Sequence, residues 1–189
     1  ISDHLAQPGE MVWVALKDPS EAELTLMQHE FGLHDLAIED AKKGCQRPKT
    51  EEYGDVVFSV AHLLEMHDGQ ISNGELHIFT GHNFVLSIRR KSSKNFLGVR
   101  ERCEQEPHLL KYGPAYVLYA LVDTVVDGYF EILDEIELHL EKIEAEIFTK
   151  NSGRSNIENL YQLKRQVSVL KHATAPLLEA FAKFNGGRV

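Results

Sequence analysis

Two long segments within residues 115–185 carry apolar side chains at alternating intervals of three and four, a spacing that fits the α-helix and no other regular backbone. In the first segment the stripe is Leu118, Val122, Val125, Tyr129, Ile132, Ile136, Leu140, Ile143 and Ile147. In the second it is Leu160, Leu163, Val167, Leu170, Thr174, Leu177, Phe181 and Phe184. Between them, Thr149-Lys150-Asn151-Ser152-Gly153-Arg154-Ser155 offers turn and capping residues without an apolar period. The pattern predicts two helices folded back as an antiparallel hairpin, a stalk-like module that encloses no pocket.

Charge divides these helices. From Asp123 to Glu146 the first carries nine acidic residues against one basic, Lys142. In the second, Arg154, Lys164, Arg165, Lys171, Lys183 and Arg188 outnumber Glu158 and Glu179. Two readings stay open: solvated outer faces with weak inter-helix pairs, each contributing about 0 to 1 kcal/mol, or a surface that meets divalent cations or neighbouring subunits.

Composition narrows the partners. A net charge of −9 and the absence of a Lys/Arg block with interleaved aromatics speak against nucleic acid, whose phosphates require a basic face. Cys45 and Cys103 lack any metal-ligand spacing and read as reduced thiols. The most apolar run, Ala115 to Val122, is broken at Asp123 and falls short of the roughly 18 residues a membrane helix needs. The first residue is Ile1, no signal-peptide pattern follows it, and Gly186-Gly187-Arg188-Val189 comes directly after a helical pattern. Both ends therefore read as cuts in a longer protein.

Residues 1–112 alternate short strands with helices, and residues 113–189 form the hairpin. Val12-Trp13-Val14-Ala15-Leu16 predicts a strand. Asp18 as N-cap, Pro19 at the first helical position and Glu21 reaching back predict a helix to Phe31, ended by Gly32. Asp35 caps a second helix through Leu36, Ile38 and Ala41, closed by Gly44. Asp55 to Leu64 reads as a strand, and Asp68-Gly69 and Asn73-Gly74 as turns. Glu75 to Thr80 and Phe84 to Arg90 flank a Gly81-His82-Asn83 hairpin connection, with Phe84, Leu86 and Ile88 on one face. Asn95 to Gln105 reads as a helix stopped by Pro107. The fold class predicted is α/β (α+β): a mixed sheet layered with helices, on which the long hairpin packs.

Chemistry-bearing motifs are sparse. His62, His67, His77 and His82 cluster near the meander without a compact ligand spacing, and read as structural or solvent-facing. Glu135 and His139 lie one helical turn apart, but the paired motif of di-iron bundles is missing. Glu39-Asp40 beside Arg47 and Lys49 reads as charge pairing rather than an acid and base pair. With no phosphate loop and no nucleophile elbow, the residues give no enzyme reading.

In order along the chain, however, stand Trp13, Asp18-Pro19, Phe31-Gly32-Leu33-His34, Glu39-Asp40, Gln46-Arg47-Pro48-Lys49, Glu52-Tyr53 and Val57-Phe58. Tyr116-Val117-Leu118-Tyr119-Ala120-Leu121-Val122-Asp123, Gln162-Leu163-Lys164-Arg165-Gln166 and Ala175-Pro176-Leu177 continue the series. This ordered set resembles the CorA family of Mg²⁺/Co²⁺ transporters. The resemblance implies an α/β/α sandwich on the cytoplasmic face of the inner membrane, joined through a stalk to two membrane spans in a homopentamer. The stalk, the spans and the Gly-Met-Asn signature between the spans are not in this sequence, so it implies a soluble cytoplasmic portion that does not transport by itself.

The resemblance also implies a regulatory Mg²⁺ bound between subunits, whose loss lets acidic faces repel. Asp68 is the nearest counterpart of the family's inter-subunit acidic residue, with a partner carboxylate beyond Val189. A one-residue offset would put His67 there instead, and Asp68 also reads simply as an Asp-Gly turn residue. The ten histidines leave room for the zinc-transporting, ZntB-like branch, and a helical scaffold without metal stays as the reading from a different class.

Overall fold

A computed structural model of the chain describes residues 2–5, 7, 9–147 and 153–185. Five strands form one mixed sheet in the order β1-β5-β4-β3-β2: β1 (Val12–Lys17), β2 (Lys49–Tyr53), β3 (Val56–His67), β4 (Gln70–Thr80) and β5 (Phe84–Arg90). The β2-β3-β4-β5 meander is antiparallel throughout, and β1 joins its far side parallel to β5, Trp13 opposite Val85 and Ala15 opposite Ser87. A short α1 (Ser2–Leu5) precedes the sheet.

Both sheet faces are covered, so β3, β4 and β5 carry near-continuous apolar runs. On one face α2 (Glu21–Phe31) and α3 (Asp35–Lys43) bury Leu24, Phe31, Ile38 and Ala41 against Phe58, Phe79 and the row Phe84, Leu86, Ile88. On the other lie α4 (Leu97–Gln105), α5 (Pro107–Leu110), α6 (Pro114–Ile147) and α7 (Gly153–Asn185). There Val117, Leu121, Tyr129 and Ile132 of α6 pack with Leu177 of α7 on Ala61, Leu76, Ile78 and Val85. The result is the predicted α/β layering, with α6 and α7 side by side as the hairpin.

Several local expectations need correction. The N-cap of α2 is Ser20, in a capping box with Glu23; Asp18 stands at φ +44° and its carboxylate accepts from the Lys91 amide at 2.9 Å. Both residues suit a cap, and the β1–α2 connection needed Asp18 for another bond. The cap of α3 is the His34 ring, which accepts from the Leu36 amide, and Asp35 is the first helical residue. Asn73-Gly74 is no turn: β4 runs through it. A Cβ on Gly74 would stand 2.7 Å from the Lys91 carbonyl and 2.8 Å from that of Arg90, so glycine here admits a close backbone approach. Strand β2 was not foreseen, because Lys-Thr-Glu-Glu-Tyr has the composition of a loop; it is an edge strand paired on one side only.

The seam of α7 is also rotated from its expected position. Leu163, Leu170, Leu177 and Phe181 pack on the core as expected, but Gln166, Ala173 and Ala180 are buried beside them, while Leu160 and Val167 are exposed. Ala173 and Ala180 let α7 lie close, and Val167 is turned to solvent. Residues 148–152, which include most of the expected turn, lie outside those described, as do Arg188 and the side chains of Arg154, Lys183 and Phe184.

Candidate functional site

Strands β3 and β4 pair without a break from Val57–Thr80 to His67–Gln70, leaving two residues to reverse the chain. Asp68 at φ +49° and Gly69 at φ +74° do so, and this left-handed pair suits the right-handed twist of the strands. The turn meets the hairpin. The Gly69 carbonyl accepts from Gln162 Nε2 at 2.8 Å and from Gln166 Nε2 at 2.6 Å, one helical turn apart on α7. Around it His139, Lys142 and Glu146 of α6 and Asn159 of α7 border an open cleft of about 220 Å³. Gln166 is buried and its Oε1 has no hydrogen-bond partner among the described residues.

Asp68 is exposed at the tip of this turn. It offers one carboxylate, and the neighbouring Gly69 carbonyl is already engaged twice. Among the described residues no group of three His, Cys, Asp or Glu side chains could hold a metal.

The four histidines do not converge. His62 Nε2 lies 2.9 Å from the Gln46 carbonyl oxygen, His67 is exposed 3.6 Å from Glu65, and His82 is exposed in the β4–β5 turn. His77 is fully buried, its Nε2 2.9 Å from Glu75. Burial pushes the Glu75 carboxyl up, but the hydrogen bond and charge of His77 and the amide of Cys45 outweigh it, so its pKa lies below the ordinary value. Glu75 also accepts from the Gln46 amide at 3.1 Å, which fastens the Gln46-Arg47-Pro48 loop to the sheet.

A second carboxylate is held more tightly. Glu65 accepts from the Ser92 hydroxyl at 2.5 Å, from the Ser93 amide at 2.9 Å and from the Ser93 hydroxyl. Burial raises its pKa, yet these bonds overcome burial and bring it down to about 2. Glu65 is a structural anchor between β3 and the segment leading to α4, and no sequence pattern announced it.

Asp40 meets Lys49 at 2.7 Å as expected, and Glu51 shares that lysine at 2.6 Å; Glu39 pairs instead with Lys43 of its own helix, and among the described residues no ion pair involves Arg47. Of the acidic residues of α6, Asp123 meets Arg102 at 2.8 Å and Glu131 meets Lys94 at 3.6 Å, both from the α4 side. Asp127, Asp134, Glu135, Glu137, Glu141 and Glu144 are exposed, so this helix presents a negative face. His139 borders the Gly69 cleft, and no described ion pair joins it to Glu135.

Comparison with known proteins gives a consistent result. The family model described as CorA-like Mg²⁺ transporter protein matches residues 8–185. YfjQ of Bacillus subtilis, whose name assigns it only provisionally to metal-ion transport, is 32% identical over 165 residues, covering 87% of this chain and 51% of that protein. The cobalt/magnesium transport protein CorA of Thermotoga maritima is 29% identical over 155 residues, covering 80% of this chain and 44% of that one. The chain thus spans about half the length of the curated relatives it matches. The soluble domain of CorA from Methanocaldococcus jannaschii superposes with a TM-score of 0.70 at 18% identity, covering 90% of this chain and 68% of the other. The ZntB cytoplasmic domain from Vibrio parahaemolyticus reaches 0.69 at 14% identity, covering 93% and 69%. At these identities the two superpositions speak for the fold alone.

Proposed function

The chain belongs to the CorA-like Mg²⁺ transporter family, and from that premise we propose that it is the cytoplasmic, cation-sensing domain of a magnesium and cobalt transport protein. The observation that carries this reading is the family match over nearly the whole chain, 8–185, together with the 32% identity to YfjQ. The exposed carboxylates of α6 support a domain that works among divalent cations, since they raise the local cation concentration and repel one another when it falls. Among the described residues no helix is long and apolar enough to cross a membrane, so in this reading the ion path belongs to other parts of the transporter.

The proposal extends to assembly. The domain functions within a homopentamer, and Asp68 supplies one ligand of a regulatory Mg²⁺ shared with a neighbouring subunit. The exposed position of Asp68, where the sheet touches the hairpin, supports this: a cation there pulls on a turn already fastened to α7. The domain does no catalysis. Division into an α/β part, residues 1–112, and the hairpin, residues 113–189, belongs to the same reading.

Sedimentation equilibrium on the chain with chelator, with millimolar Mg²⁺ and with micromolar Zn²⁺ tests it. The expected result is a rise in mass with Mg²⁺ that Asp68→Asn diminishes. A response to Zn²⁺ alone would replace magnesium by zinc, in keeping with the fold shared with the ZntB domain. If Asp68→Asn assembles like the parent, Asp68 is a turn residue only, and no response to either ion removes cation sensing from this chain.

A further inference from the structure

Strand β1 pairs only with β5, so the side chains at its free edge stand over an open margin of the sheet. Above that margin α4 and the segment before it leave a cleft of about 580 Å³. Its apolar walls are Met11, Trp13, Phe96 and Leu97, the last 68% exposed. Trp13 is pinned by a hydrogen bond from its Nε1 to the Ser87 hydroxyl at 3.0 Å. Exposed Ala15 lies beside it and adds no bulk.

The charged groups of the cleft do not balance. Lys17, Arg89 and Arg100 line it against one acid, Glu104, which is already bonded to Arg100 at 2.8 Å. Asp18, next to Lys17, is engaged by the Lys91 amide. Arg89 points from the same face of β5 as Ser87, and its Nε and Nη1 are buried with no hydrogen-bond partner among the described residues. By contrast Arg102, two residues past Arg100 on α4, meets Asp123 directly. Two guanidinium nitrogens withdrawn from water without an acceptor are costly, and an anion in the cleft would relieve that cost. The chain as a whole is at −9, so a locally positive recess with aromatic walls runs against its composition.

We propose that this cleft binds a small organic anion with a flat apolar body, the anionic group meeting Arg89 and the body lying between Trp13 and Phe96. The site is remote from the Asp68 turn and stands on the cleft alone, whatever ion the protein senses. Anilinonaphthalene sulfonate is a suitable probe, because it has both features and because Trp13 is the sole tryptophan of the chain, so quenching of Trp13 that cleft substitutions diminish reports occupancy of this cleft.

Saturable binding to one site with quenching of Trp13 is expected. Arg89→Gln should weaken it roughly tenfold or more, as loss of a hydrogen bond to a charged group predicts. Ala15→Phe, at an exposed edge position where folding is not at risk, should block it by filling the floor. The neutral analogue phenylnaphthylamine should bind the parent no better than it binds Arg89→Gln. Probe binding without any Trp13 response, equal affinity in Arg89→Gln, or an undiminished signal in Ala15→Phe would each overturn the proposal.

Discussion

Glu65 allows a quantitative test of how the sheet is tied to α4. Its carboxyl is held at about 2 against an ordinary 4.5, and each tenfold preference for the ionised form is worth about 1.4 kcal/mol, so the anchored carboxylate contributes about 3 kcal/mol at neutral pH. The sign follows from the direction. A depressed carboxyl binds fewer protons folded than unfolded, so its contribution is complete above the unfolded value and declines as pH falls from about 5 toward 2. Glu65→Gln keeps the shape but loses the charge, and leaves the Ser92 and Ser93 hydroxyls with a weaker acceptor. Urea unfolding followed by Trp13 fluorescence should show the variant weaker by about 2 to 3 kcal/mol at pH 7. The decisive readout is the slope: between pH 5 and 2 the parent should lose more stability than the variant, until the two nearly coincide. Parallel decline of the two proteins would refute the assignment of this carboxylate as the anchor.

Three further outcomes follow from packing and exposure. Ala173, fully buried in the α7 seam, has no room for growth, so Ala173→Leu should lower stability by about 1 to 3 kcal/mol in the same assay. Gly74→Ala places a Cβ against two backbone carbonyls that cannot rotate away, and a loss of about 1 to 3 kcal/mol is expected, visible as an earlier thermal midpoint by circular dichroism. Cys45 is exposed, whereas Cys103 is buried with its thiol pKa pushed up by burial, so a thiol reagent at pH 8 should label one cysteine in the native protein and both in urea.

What the sequence disclosed divides along physical lines. Strand β5 was legible to the residue because Phe84, Leu86 and Ile88 alternate cleanly, and Gly32 and Gly44 ended their helices as expected. Strand β2 was not, because a polar edge strand is specified by its partner β3 and not by its own composition. The rotation of α7 was hidden for a related reason: Gln166, Ala173 and Ala180 face inward to permit close approach, and a hydrophobic count favours their bulkier neighbours. The Asp68-Gly69 turn could be read from its dipeptide, but its engagement by Gln162 and Gln166 spans more than ninety residues of chain and leaves no local trace. Glu65 and Arg89 each look like ordinary strand residues, and only the folded surroundings distinguish an acid with three donors from a guanidinium with two buried nitrogens that find no acceptor among the described residues.

The double engagement of the Gly69 carbonyl makes the hairpin a braced cantilever. Its root is clamped on the sheet, Ile143 is the last buried residue of α6, and the brace grips α7 at Gln162 and Gln166. From Gln162, the outer grip of the brace, to the start of α7 at Gly153 the helix runs on for about 14 Å at 1.5 Å per residue. A tilt of about 5 degrees about the brace therefore moves the start of α7 by about 1 Å and carries the buried Asn156 with it. Force applied at the overhang is delivered to one peptide carbonyl in a two-residue turn, and any shift of that turn returns to the far end enlarged.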